Sequence, residues 1–146
     1  MNYFKEAEEV LYNRKKLGQA LANLKRRCDR LMHSGAPHEI GGMDYASPSV
    51  DGGMVSNTMQ DCLDLIETNR EIARTEEKIR EVDDVLHQLP DEDCELLMMW
   101  YVDGLPKEQI GRELHYSSRH TVYDHKNHAV AQFAILYFGA PALNSV

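Results

Sequence analysis

The sequence has little of what marks a membrane, secreted or disulfide-bonded protein. Its longest uninterrupted apolar run, Leu96 to Val102, has seven residues, against the roughly 20 that a membrane-spanning helix needs. A transmembrane span is thereby excluded, and no membrane partner is expected. Cys28, Cys62 and Cys94 are odd in number and far apart, which suits neither a disulfide framework nor a zinc site, so they read as reduced thiols. The residues after Met1 lack the apolar segment and small-residue cleavage site of a secretory signal, and cytoplasmic localisation is expected. Aromatic residues make up 8% and the five prolines are scattered, which excludes a large aromatic-rich core and a low-complexity tail. No P-loop, nucleophile elbow, paired-carboxylate motif or metal signature is present. His125 and His128 lie three apart, but no third ligand stands at a familiar spacing. No enzymatic activity, cofactor or metal is therefore expected.

What is there is a chain of 146 residues, 42% hydrophobic and 27% charged, enough for one compact domain or a small domain plus an extended element. Its net charge of −8 is unevenly spread. Residues 1–33 carry eight Lys/Arg against four Asp/Glu, and residues 55–89 carry four against nine. Residues 90–104 add five acids and no base, whereas 105–146 hold Lys107, Arg112, Arg119 and Lys126 against three acids. A polyanion would have to be met by a local patch, because the global field repels it.

Periodicity organises the N-terminal part. Positions 3, 7, 10, 14, 17, 21, 24, 28 and 31 read Tyr, Ala, Val, Arg, Leu, Leu, Leu, Cys, Leu, alternately four and three apart, which is a heptad seam. Leu65, Ile72, Ile79 and Leu86 repeat the pattern, with Val82 and Leu89 in alternate slots. Between the two, His33 to Asn57 holds five of the nine glycines plus Pro37 and Pro48, and no helix is expected there. The loop at about 34–54 reads as a connector, since His38, Asp44 and Asp51 have no ligand spacing. An antiparallel helical hairpin over residues 1–89 follows, a basic helix along an acidic one. An intermolecular coiled coil with the same seams is also compatible with the pattern.

Residues 90–146 read as three shorter helices. Asp91 to Val102 opens with Pro90 and acidic residues, buries Leu97, Trp100 and Tyr101, and ends at Gly104. Pro106 stands in the first turn of the second helix, whose inner face is Ile110 and Leu114, with Gly111 permitting a close crossing. His115 to Ser118 form the turn, and Ser117 or Ser118 caps the third helix. There Val122, Ala129, Phe133 and Leu136 point one way, while Arg119, His120, Tyr123, Asp124 and Asn127 point another. This second set mixes types that reach base edges and phosphates. The apolar run Leu96 to Val102 covers every side of its helix and leaves Met98 and Met99 over. They either pack on the hairpin or, with Ile135 and Phe138, make a partner surface.

Leu89-Pro90, Leu96-Leu97, Tyr101, Gly104, Ile110-Gly111, Leu114, Tyr116-Ser117 and Thr121-Val122 carry a resemblance over about 50 residues. In order and approximate spacing they resemble the C-terminal helix-turn-helix of sigma-70-type factors (region 4). More narrowly, the chain is similar to small phage regulators of the autolysin-regulator/RinA type. Pro106 stands where that family usually has Ser or Thr, the turn is one residue longer, and the third helix carries fewer Lys/Arg. The resemblance implies an all-α protein, a helical hairpin (coiled coil) followed by a sigma-70 region 4-like helix-turn-helix. It implies a sequence-specific DNA-binding transcriptional regulator, phage or prophage encoded, that binds double-stranded promoter DNA. The DNA-binding candidates are Lys107, Arg112, Ser117, Ser118, Arg119, His120, Thr121, Tyr123, Asp124, Lys126 and Asn127. A homodimer is expected, because two basic residues on one reading helix hold DNA weakly, with Met98, Met99, Ile135 and Phe138 as the favoured surface. The alternative is a protein-interaction module that binds RNA polymerase or a host protein, or a DNA-packaging protein like a small terminase subunit.

Overall fold

A computed structural model describes the backbone of residues 1–35 and 52–145 and the side chains of 1–33 and 58–145. Most of the connector expected at 34–54, with His38, Asp44 and Asp51, lies outside the described residues. Every element described is helical. The order is α1, Tyr3–Gly35; α2, Gly52–Leu86; α3, Asp91–Leu97, continued by a π-helical turn, Met98–Val102; α4, Lys107–Glu113; α5, Arg119–Phe138; and a closing 3-10 turn, Ala140–Asn144. The stretch expected to be free of helix is helical at both ends, since α1 reaches Gly35 and α2 begins at Gly52. Extending an existing helix adds one hydrogen bond per residue, and a helical glycine costs only about 1 kcal/mol. No described helix is long and apolar enough to cross a membrane.

Two compact units are present, Met1–Gly18 with Glu77–Val146, and Gln19–Glu76. They are drawn differently from the division at residue 89, because the first turns of α1 and the last of α2 supply core to the C-terminal helices. In the unit Gln19–Glu76, Leu21, Leu24, Cys28 and Leu31 are half-buried along α1, as the heptad requires. On α2, Thr68 is buried and Thr75 half-buried in seam slots that no apolar residue fills. The Thr75 hydroxyl is satisfied by the Glu71 carbonyl at 2.7 Å. Lys25 pairs with Glu76 at 3.9 Å and the Cys28 thiol donates to Asn69 Oδ1 at 3.4 Å. Partner numbers fall as residue numbers rise, so the two segments run antiparallel. Met32, Met59, Leu63 and Ile66 are exposed.

The other unit is built on one core. Ala7 and Leu11 of α1, Val82 and Leu86 of α2, Leu96 and Leu97 of α3, Trp100 and Tyr101 of the π turn, Ile110 of α4 and Phe133 of α5 are all buried in it. Arg14 occupies a seam position yet is matched, its Nε 2.7 Å from Asp83 Oδ1 and its Nη2 3.1 Å from Oδ2, a bidentate pair of the strong kind. At the π turn the Asp103 N–H donates to the Met98 carbonyl at 2.8 Å and the Leu105 N–H to the Met99 carbonyl at 2.9 Å. Gly104, at φ 66°, reverses the chain there, a conformation glycine adopts without penalty.

Met98, Met99, Ile135 and Phe138 are half-buried against this core, the first of the two placements expected for the methionines, and the Phe138 ring lies 5.2 Å from that of Tyr3. A heptad pattern alone does not reveal that the start of α1 reaches this end of the chain. Leu136, expected inside, is 44% exposed. Ala129, Val130, Phe133 and Ala134 form the inner stripe instead, and Leu136 lies at its edge, about a quarter-turn from its centre.

Candidate nucleic-acid interface

The turn between α4 and α5 follows from local chemistry. Pro106, expected within the first turn of its helix, is instead the residue just before α4, with extended backbone at φ −60°, ψ 146°. At the other end Leu114 leaves the helix and His115 takes φ 60°. The Tyr116 N–H then reaches the Gly111 carbonyl at 2.9 Å, which closes the α4 C-terminus in the Schellman manner with histidine in the left-handed position. Ser118, rather than Ser117, is the cap of α5, its Oγ accepting from the Thr121 N–H at 3.2 Å. The close crossing expected at Gly111 is present, since a Cβ there would lie 3.3 Å from Val122 Cγ2. In the angle between the helices is a cavity of about 270 Å³ whose lining includes Lys107, Arg112, Tyr116, Ser118 and Arg119.

Of the expected DNA-binding residues, Arg112, Ser117, Ser118, Arg119, His120, Asp124 and Asn127 are exposed, and Thr121 is half-buried. Arg119 Nη2 pairs with Glu108 Oε1 at 3.1 Å, with both side chains two-thirds exposed. Such a pair contributes at most about 1 kcal/mol and opens readily toward a phosphate. His120 Nε2 lies 3.2 Å from Asp124 Oδ2.

Three of the expected residues turn instead toward Trp100. Lys126 is buried and does not belong to a reading face. Its Nζ donates to Glu8 Oε1 at 3.3 Å and stands 5.1 Å from the Trp100 ring centre and 5.8 Å from that of Phe4. Its position on α5 faces the same way as Val122, Val130 and Phe133, and Glu8 of α1 is what makes the charge tolerable there. Tyr123 meets Trp100 edge to face at 5.1 Å. Lys107 Nζ lies 5.0 Å from the Trp100 ring centre, a cation–π contact. The same Glu8 oxygen accepts the Tyr101 hydroxyl at 2.7 Å. Burial, reinforced by this bond, pushes the Tyr101 phenol far above its usual range.

The exposed side of α5 also holds His125, His128 and Gln132, which are not among the expected DNA-binding residues. The signal was available in the 3.6-residue period, which brings positions 124, 128 and 132 into one row. His125 stacks flat on Tyr116, with ring centres 4.6 Å apart. The Tyr116 hydroxyl donates to Glu92 Oε1 at 3.0 Å, and burial, then this bond, raises its phenol. Among the described residues no group of three or more His, Cys, Asp or Glu is placed to hold a metal ion. Comparison with protein-family models, curated proteins and solved structures gives no match for this chain, so a reading of the site rests on its own geometry.

Proposed function

We propose that this protein is a sequence-specific DNA-binding regulator of transcription, built as an antiparallel helical hairpin joined to a sigma-70 region 4-like helix-turn-helix. The observation that carries the reading is the α4–α5 corner. There the Ser118-capped start of α5 stands exposed, with Arg119, His120, Asp124 and Asn127 outermost and Arg112 beside them. A helix offered end-first with Asn and Arg on its outer side suits the major groove, where Asn pairs with adenine and Arg with guanine. Exposed backbone N–H groups at its start suit a phosphate. With Lys126 withdrawn and Arg119 shared with Glu108, fixed positive charge is scarce, so base contacts and a second copy on a repeated site carry more of the affinity. Exposed Met59, Leu63 and Ile66 on α2 favour a second role for the hairpin, docking RNA polymerase or another protein.

The test is selection of bound duplexes from a random pool, followed by binding of the selected sequence to Arg119→Ala/Asn127→Ala. The double variant is expected to bind more weakly, by about 1–3 kcal/mol for each base that is no longer read. Unchanged affinity would show that this corner is not the reader.

A further inference from the structure

The outer side of α5 carries more titratable nitrogen than fixed charge. His120, Asp124, His125, Asn127, His128 and Gln132 are exposed, and at 3.6 residues per turn they share the side opposite buried Val122, Lys126, Ala129 and Phe133. With neutral imidazoles, Asp124 is the one charged member of that set and the face is negative. With His120, His125 and His128 protonated, three positive charges stand against that single carboxylate and the sign reverses.

We infer that His125 and His128, together with His120, are phosphate contacts of the DNA-binding face and engage in their protonated form, so that affinity for DNA is set by pH. The inference rests on the DNA-binding reading above. A phosphate oxygen at hydrogen-bond distance favours the imidazolium, so binding takes up protons and strengthens as pH falls through the histidine range. His120 faces the Asp124 carboxylate at 3.2 Å. His125 lies on the Tyr116 ring, whose hydroxyl is tied to Glu92 of α3. His128 stands one turn from Asp124 on one side and from Gln132 on the other. The neighbouring fixed charges are Arg119 with its partner Glu108 and, on the cavity wall, Arg112 and Lys107. Lys126 and Glu8 are paired on the inner side of the helix.

The experiment measures binding of a labelled mixed-sequence duplex over a salt series at about pH 5.5 and about pH 7.5, either side of the histidine range. The parent is expected to bind roughly tenfold or more tightly at the lower pH, with a salt slope steeper by about 0.9 for each added phosphate contact, about 3 at most. His120→Gln/His125→Gln/His128→Gln should lose that difference while keeping its helical circular dichroism, which separates these positions from the chain's four other histidines. Should the triple variant fail to fold, His125→Lys/His128→Lys tests the same point, and fixed charge should raise binding at the higher pH toward the parent's value at the lower. Equal slopes at both pH values in the parent, or a glutamine variant as pH-dependent as the parent, would overturn this inference and leave DNA binding standing. Absence of binding at both pH values would overturn the two together.

Discussion

Glu8 is the residue on which most turns, because one of its carboxylate oxygens accepts from both the Tyr101 hydroxyl and the Lys126 ammonium. Neither bond was legible in the sequence, where Glu8 stands 93 residues from Tyr101 and 118 from Lys126. Lys126 reads as a DNA contact because a lysine on a reading helix usually is one, and only the arrival of α1 turns it inward. Tyr101 gives this cluster a measurable pH signature. Its phenol is held above its ordinary value of 10.0 by burial first and the bond to Glu8 second. A folded-state value above the unfolded one means stabilisation that is fully present below about pH 10 and is lost as pH rises beyond it, when the unfolded chain gives up the proton. Tyr101→Phe is expected to cost about 1 kcal/mol at neutral pH and to lose less stability than the parent between neutral pH and about pH 11. Urea unfolding of both proteins at the two pH values checks this. Equal losses would move the alkaline sensitivity to other groups.

At the scale of elements, the segments that the sequence delimits best are those whose ends have local causes. Acidic residues after Pro90, Pro106 before α4 and the serine cap of α5 each act within one turn, and the structure begins a helix at all three. The π-helical turn at Met98–Val102 has no such local cause; it falls in the stretch that buries Leu96, Leu97, Trp100 and Tyr101. Heptad spacing likewise revealed the seams of α1 and α2 but not which of their turns join the C-terminal core. The α4–α5 corner depends on His115 at φ 60°, a left-handed backbone that histidine tolerates and β-branched residues resist. His115→Val is expected to lower stability by roughly 1–2 kcal/mol, whereas His115→Gly should leave it unchanged or raise it by up to about 1 kcal/mol. Thermal unfolding of the two variants decides. If both behave alike, the corner does not depend on that backbone angle.

For the molecule as a whole, the compact unit made of Met1–Gly18 and Glu77–Val146 means that the C-terminal helices do not own their core. Leu11 and Leu86 are among its largest fully buried side chains, and losing one buried leucine alone costs about 2–5 kcal/mol against a total stability of about 5–15 kcal/mol. A fragment of residues 90–146, the helix-turn-helix part as the sequence divides the chain, is expected to melt without cooperativity by circular dichroism, in contrast to the full chain. A sharp transition in the fragment would show that the N-terminal turns are dispensable. The same architecture gives the protein an optical reporter. Trp100 is its only tryptophan, and the indole touches Lys107 at the start of α4 and Tyr123 and Lys126 within α5. Indole emission responds to nearby cations and to water, so any ligand that re-aims either helix would register in the intrinsic fluorescence. Occupancy of the corner could thus be followed without a label, in the unmodified chain.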